Sequence, residues 1–237
     1  MTNALPKSTF RDGLVTALPI ALGYFPIAFS FGVAATRAGF STLEAFMMSL
    51  IMYAGAAQFL ALVLMTSGAP VLVTAATLVA MHVRHVIYGP TLMKRAAGDA
   101  ASRHSWAWAF GLTDEVFGAA LGALVRGKQR FSEPFMFGLA IVAYAAWLGG
   151  TAAGAVAGGG ALEAYPAINA GLGFMLPALF LSLLLSILSR RQVPVVAIAG
   201  VVTVAATLWV SPTAGILGGM IAGAMAGVLG IGRGRAA

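Results

Sequence analysis

The most constraining feature of this chain is how little of it water could solvate. Eight apolar runs, each of about the 20 residues that cross ~30 Å of hydrocarbon as a helix, follow one another with only short breaks between them. They are Gly13 to Ala35, Ala45 to Thr66, Ala69 to Leu92, Trp106 to Val125, Phe135 to Ala157, Ile168 to Leu188, Val193 to Val210 and Thr213 to Ile231. The breaks "TSGAP", "GDAASRHS", "RGKQRFSEP", "GGGALEAYP", "SRRQVP" and "SPT" carry turn chemistry, and none is long enough to be a separate soluble domain. Only 9% of residues are charged, too few to clothe a soluble core, whose surface needs roughly a quarter. The expected fold is all-α: a polytopic membrane protein of about 7 to 8 transmembrane helices forming a single integral membrane domain over residues 1–237.

The net charge of +7 is carried by short clusters between the runs: Lys94/Arg95/Arg103, Arg126/Lys128/Arg130, Arg190/Arg191 and Arg233/Arg235. That pattern anchors a chain to a cytoplasmic leaflet rather than to nucleic acid, which requires a folded basic face. With eight spans both termini fall inside, and the Lys94/Arg95/Arg103 loop alone falls outside. This misfit makes run three or run four a candidate for a re-entrant or broken span. The N-terminal run is longer than a signal-peptide core and many similar runs follow it, so it reads as a retained first span. The chain has no cysteine, which excludes disulfides and thiolate metal sites. No cofactor is expected.

Runs one and six hold prolines: Pro19 and Pro26 in "LPIALGYFPIAFSFG", and Pro177 in "YPAINAGLGFMLPALFLS". A proline at depth removes a ladder hydrogen bond and frees a carbonyl, so both runs are expected to be broken helices. Starting on opposite sides, they suggest an inverted repeat, residues 13–92 and 168–231, with a midplane site between broken segments. Tyr24 and Asn169, one on each run, are candidates for binding. Glycines at i, i+4 spacing, Gly150, Gly154 and Gly158, then Gly215, Gly219, Gly223 and Gly227, mark faces for close helix packing.

Ionisable side chains inside the runs are few: His82, Arg84 and His85 in the third, Asp114 and Glu115 in the fourth. Each costs at least ~2.5 kcal/mol at bilayer depth, so each is expected to face protein or water. His82, His85 and Tyr88 form one helical stripe with Arg84 beside it, offering a cation next to a phenol and imidazoles. Snorkelling is the bland alternative for Arg84, but Lys94 and Arg95 already anchor that boundary. Asp114 and Glu115 point 100° apart, so one can neutralise Arg84 while the other takes up and releases protons. A structural ion pair is the competing reading. Two histidines without thiolates or close carboxylates do not make a metal site. Gln58, among small residues, can bond across helices or to a ligand.

Four stretches, "GYFPIAFSFG", "YAGAAQF", "RHVIYG" and "LTDEVF", stand in an order and spacing that resemble the AzlC family, the large subunit of two-component branched-chain amino acid exporters. The resemblance runs from about Leu14 through the sixth run and is weakest over the last two. It implies proton-driven efflux of valine, leucine, isoleucine or methionine from a bacterial cytoplasmic membrane, with a small AzlD-type membrane subunit as partner. The family motifs carry over onto Gln58, Arg84, His85, Tyr88, Thr113, Asp114 and Glu115. In such an exporter the substrate carboxylate would meet Arg84 or a helix N-terminus and its ammonium an acidic residue. No nucleotide-binding GxxxxGK[ST] motif suggests a primary pump, and no nucleophile at a recognisable spacing suggests an enzyme. A scaffold subunit without its own solute path is the alternative.

Overall fold

A computed structural model describes residues 8–95, 103–125, 131–160 and 188–231, with scattered positions between 165 and 185. Among the described residues the regular structure is all helical: α1 (Phe10–Arg37), α2 (Thr42–Met52), α3 (Gly55–Thr66), α4 (Val71–His82), a 3₁₀ segment (Val83–Ile87), α5 (Tyr88–Arg95), α6 (Ser105–Phe110), α7 (Asp114–Val125), α8 (Glu133–Gly158), α9 (Val193–Trp209) and α10 (Pro212–Val228). Three stretches are long and apolar enough to cross a membrane, Phe10–Arg37, Val71–Lys94 and Glu133–Gly158. The chain is an all-α membrane protein.

Helix starts follow local chemistry. Thr9 and Ser41 each close a capping box, the hydroxyl accepting from the backbone N–H of Asp12 or Glu44 while that carboxylate accepts from the cap's own N–H. Ser132 caps α8, accepting from Phe135 N, and donates at 2.5 Å to the Ser8 carbonyl, tying the starts of α1 and α8 together. Ser211 caps α10 in the same way through Ala214 N.

The chain forms two compact units, Met1–Leu62 with Leu78–Gly173, and Val63–Thr77 with Phe174–Ala237. In the first unit α1 and α8 pack along their length. A Cβ added to Gly13 would lie 2.2 Å from the Phe135 carbonyl oxygen, one on Gly150 2.4 Å from that of Phe25, and one on Gly154 2.0 Å from that of Phe29. Gly158 is as tight against Thr36, at 2.1 Å. Only hydrogen fits at such positions, so backbone meets backbone. These contacts advance in the same direction along both helices, which therefore run parallel.

In the second unit α9 and α10 form an antiparallel pair. Added Cβ atoms on Gly215 and Gly219 would lie 1.9 Å and 1.8 Å from the hydroxyls of Thr207 and Thr203, and one on Gly223 3.1 Å from Ala199 Cβ. Gly227 departs from this ridge: a Cβ there would meet nothing within 4 Å.

The helix breaks fall elsewhere than expected. α1 is continuous through Pro19 and Pro26, a correction to the reading of run one as broken. Each proline removes a single ladder bond, and the packing on α8 holds the axis. Pro177 and Asn169 lie outside the described residues. Runs two and four are interrupted, and run three stays continuous but changes its winding. Run two breaks at Tyr53, whose φ of 24° is left-handed, ahead of Gly55, where a Cβ would press within 2.5 Å of the Trp147 indole. Run three tightens to 3₁₀ over Val83–Ile87, just before Pro90, which lacks the N–H that would reach the Val86 carbonyl. Run four stops at Phe110 and restarts at Asp114.

Candidate functional site

The restart of run four organises the polar centre. Thr113 precedes α7 and its hydroxyl accepts from Val116 N at 3.3 Å, the geometry of an N-cap. Asp114 and Glu115 then occupy the first turn, where the positive end of the helix dipole favours carboxylates. A helix N-terminus thus lies in the middle of a run that hydropathy reads as one span.

The two carboxylates take different partners. Asp114 Oδ2 lies 2.7 Å from Arg84 Nη2, and Asp114 Oδ1 accepts from the Tyr88 hydroxyl. Arg84 comes from the 3₁₀ segment and Tyr88 from the first residue of α5, so the tightened turn in run three presents both to α7. The Tyr88 ring stacks on Phe117 with centroids 4.3 Å apart and a 9° interplanar angle. His85 packs against Tyr88 at 4.9 Å and against His82 at 5.1 Å. His82 returns its Nδ1 to the Leu78 carbonyl at 2.7 Å. His85 Nδ1 is buried without a partner among the described residues.

Glu115 turns to α1, where its Oε2 accepts from the Tyr24 hydroxyl at 2.5 Å. With its one proton committed there, Tyr24 accepts from the Thr113 hydroxyl, also at 2.5 Å. The Arg84 and Asp114 side chains are 51% and 41% exposed in the chain taken alone, and Glu115 is exposed as well. Charges at this depth do not face hydrocarbon, so this face meets water or protein.

A second polar network lies beside the first and is closed. Trp147 Nε1 donates to Gln58 Oε1 at 2.8 Å, Gln58 Nε2 donates to Ser49 Oγ at 2.9 Å, and Ser49 meets the Thr151 hydroxyl at 2.7 Å. Gln58, Ser49 and Thr151 are all 0% exposed. Gln58 therefore joins α3 to α2 and α8 from a fully buried position, using both atoms of its amide. Aromatic rings connect the two networks: Tyr24 lies edge-on to Trp147 at 5.3 Å and to Tyr53 at 6.5 Å, and Tyr53 is edge-on to Tyr144 at 4.8 Å. Tyr144 donates to the Leu50 carbonyl at 2.7 Å, satisfying an acceptor in the last turn of α2 beside the break.

The structure thus joins Tyr24, Arg84, His85, Tyr88, Asp114 and Glu115 in one cluster and sets Gln58 apart in the closed network. Sequence reasoning missed Tyr53, Tyr144, Trp147, Ser49 and Thr151. The available signals were Gly55 two residues after Tyr53 and "TDEV", a helix start written inside an apolar run.

Apolar helices interrupted beside charged, exposed residues define a polytopic membrane protein whose ionisable side chains must meet water or protein rather than hydrocarbon. The AzlC protein family matches residues 19–160, a stretch that contains this whole cluster, and the chain belongs to that family. It is 44% identical over 223 residues to the inner membrane protein YgaZ of Escherichia coli, covering 94% of this chain and 91% of that protein. An uncharacterized membrane protein of Archaeoglobus fulgidus is 37% identical, covering 93% and 95%. The branched-chain amino acid transport protein AzlC of Bacillus subtilis is 27% identical over 73% of this chain and 66% of its own length. No solved structure matches.

Proposed function

We propose that this chain is a secondary active exporter of neutral branched-chain amino acids, valine, leucine and isoleucine, with methionine as a further substrate. It works with a small AzlD-type membrane subunit in a bacterial cytoplasmic membrane, both termini cytoplasmic, and is driven by the proton gradient. The observation that carries this reading is the pairing pattern at the start of α7: Asp114 is neutralised by Arg84, whereas Glu115 is held by a phenol and faces outward. The printed function of the Bacillus subtilis relative, branched-chain amino acid transport, supports the substrate class.

In this proposal a zwitterionic substrate inserts beside the pair, its carboxylate exchanging with Asp114 for Arg84 and its ammonium meeting Glu115. The aliphatic chain rests on the surrounding apolar side chains. Protonation of Glu115 removes the charge that holds the ammonium, so substrate leaves as a proton enters, and deprotonation on the other side resets the site. Tyr24 follows that change directly, since its hydroxyl donates to the same carboxylate.

Counterflow of radiolabelled valine into proteoliposomes, with and without the small subunit and a pH gradient, tests the proposal. Accumulation that depends on the gradient is expected; no accumulation under any of these conditions overturns it. A scaffold role draws on one observation, that Arg84 is already satisfied by Asp114. Exchanging the two charges separates the readings. Recovered stability without transport supports the substrate site, and recovery of both supports a pair that only holds the helices.

A further inference from the structure

Three buried polar side-chain atoms lack a partner among the described residues: Tyr53 Oη, Thr74 Oγ1 and His85 Nδ1. Tyr53 differs from the others in its backbone. It is 5% exposed and sits at the break between α2 and α3 with φ 24° and ψ 55°, a conformation that glycine or asparagine ordinarily supplies at the end of a helix. A bulky residue kept in that region signals a constraint beyond the turn itself. Glycine would relieve the backbone but would bring no hydroxyl.

The surroundings of that hydroxyl are selective for charge. Tyr24 and Tyr144 face the Tyr53 ring edge-on, and Phe110 lies tilted at 6.3 Å. The same Tyr24 that faces the Tyr53 ring edge-on at 6.5 Å donates its hydroxyl to Glu115 at 2.5 Å, and Glu115 forms no ion pair among the described residues. An uncompensated carboxylate, aromatic faces and an unbonded phenol oxygen together favour a compact cation that brings several N–H donors. A carboxylate ligand would be repelled by Glu115. A neutral ligand would gain no ion pair from that carboxylate.

We propose that Tyr53 Oη and Glu115 together form the subsite for the primary ammonium of the ligand, with Tyr53 accepting one N–H and Glu115 another. This rests on the reading of the chain as an amino-acid exporter and adds a residue to its site. Tyr53 becomes the group that distinguishes a primary amine from its N-alkylated or deaminated analogues, because an alkyl group there displaces a donor against an oxygen held rigid by its ring contacts. The left-handed turn is what aims the ring inward.

The test uses the purified full-length protein and ligand-induced thermal stabilisation with three probes: valine, isobutylamine, which lacks the carboxylate, and isovalerate, which lacks the ammonium. Tyr53→Phe keeps the ring and removes an unbonded buried hydroxyl, so the variant is expected to fold at least as stably as the parent. The parent should respond to isobutylamine, and Tyr53→Phe should need about tenfold more of it, as loss of one charge-assisted hydrogen bond implies. The isovalerate response should be the same in both. Equal amine responses in the two proteins, or no amine response in the parent, overturn the subsite. Amine binding that depends on Tyr53 in a protein that shows no valine counterflow would instead leave the subsite standing and remove the exporter reading.

Discussion

The pair α1 and α8 and the spans α2/α3, α4/α5 and α6/α7 have similar composition, yet they do opposite things with it. In the pair, every tight position is a glycine against a backbone carbonyl or a short hydroxyl, and the helices continue even through two prolines. In those spans the helix stops, at Tyr53 and Phe110, or tightens to 3₁₀, over Val83–Ile87, and polar side chains gather there. A glycine ridge removes any need for interruption because it satisfies packing with backbone alone. A break exposes N–H and C=O groups that must find partners, and that requirement recruits Thr113 and Tyr144.

The rigid half of this contrast breaks most severely at its tightest point. Gly154→Leu should lose on the order of 3 kcal/mol or more, since the obstacle is backbone that cannot rotate away. Gly227→Leu should change stability by less than about 0.5 kcal/mol, there being nothing nearby for it to strike. Yield and detergent melting temperature of the two variants read the difference, and equal effects would remove the packing distinction.

In the interrupted half, Arg84→Ala should reduce valine counterflow about tenfold to a hundredfold, the equivalent of a charged hydrogen bond of ~1.5–3 kcal/mol. The fold should survive, because the pair is half exposed. Transport at the parental rate would assign Arg84 to neither substrate nor coupling.

Gln58→Leu should destabilise by about 1–3 kcal/mol, stranding the Trp147 indole N–H in a buried site. Valine half-saturation should not change in the protein that folds. A raised half-saturation at unchanged stability would return Gln58 to the ligand site.

The smallest effect is expected at Pro26. Alanine there restores one ladder hydrogen bond, worth about 1 kcal/mol, and should raise the melting temperature while transport continues. Loss of transport on that substitution would make α1 a hinge after all and dissolve the contrast between the two halves.

The apolar runs and the glycine spacing of α8 and most of α10 were read from the sequence, and the capping boxes at Thr9 and Ser41 stood in it unread, although each rests on residues within a turn or two of one another. The breaks were also written there, as Gly55 after Tyr53, Pro90 after the histidines and Thr113 before two acids. Hydropathy hid them. A half-helix at depth is as apolar as a whole one, so composition over twenty residues cannot distinguish them. The prolines of run one drew attention for the right chemical reason and misled, since a helix held along its length tolerates the loss of one bond.

Taken alone, the residues determined that this chain lives in a bilayer, that its helices are many and closely packed, and that Arg84, Asp114 and Glu115 had to find shelter from hydrocarbon. Only the tertiary structure decided who shelters whom: Asp114 with Arg84 and Tyr88, Glu115 with Tyr24, Gln58 in a closed network apart from them, and Tyr53 turned inward with an unanswered hydroxyl. The cost of a buried charge depends on the charge alone and can be read from one letter. The identity of its partner depends on where separate helices break and which faces those breaks bring together.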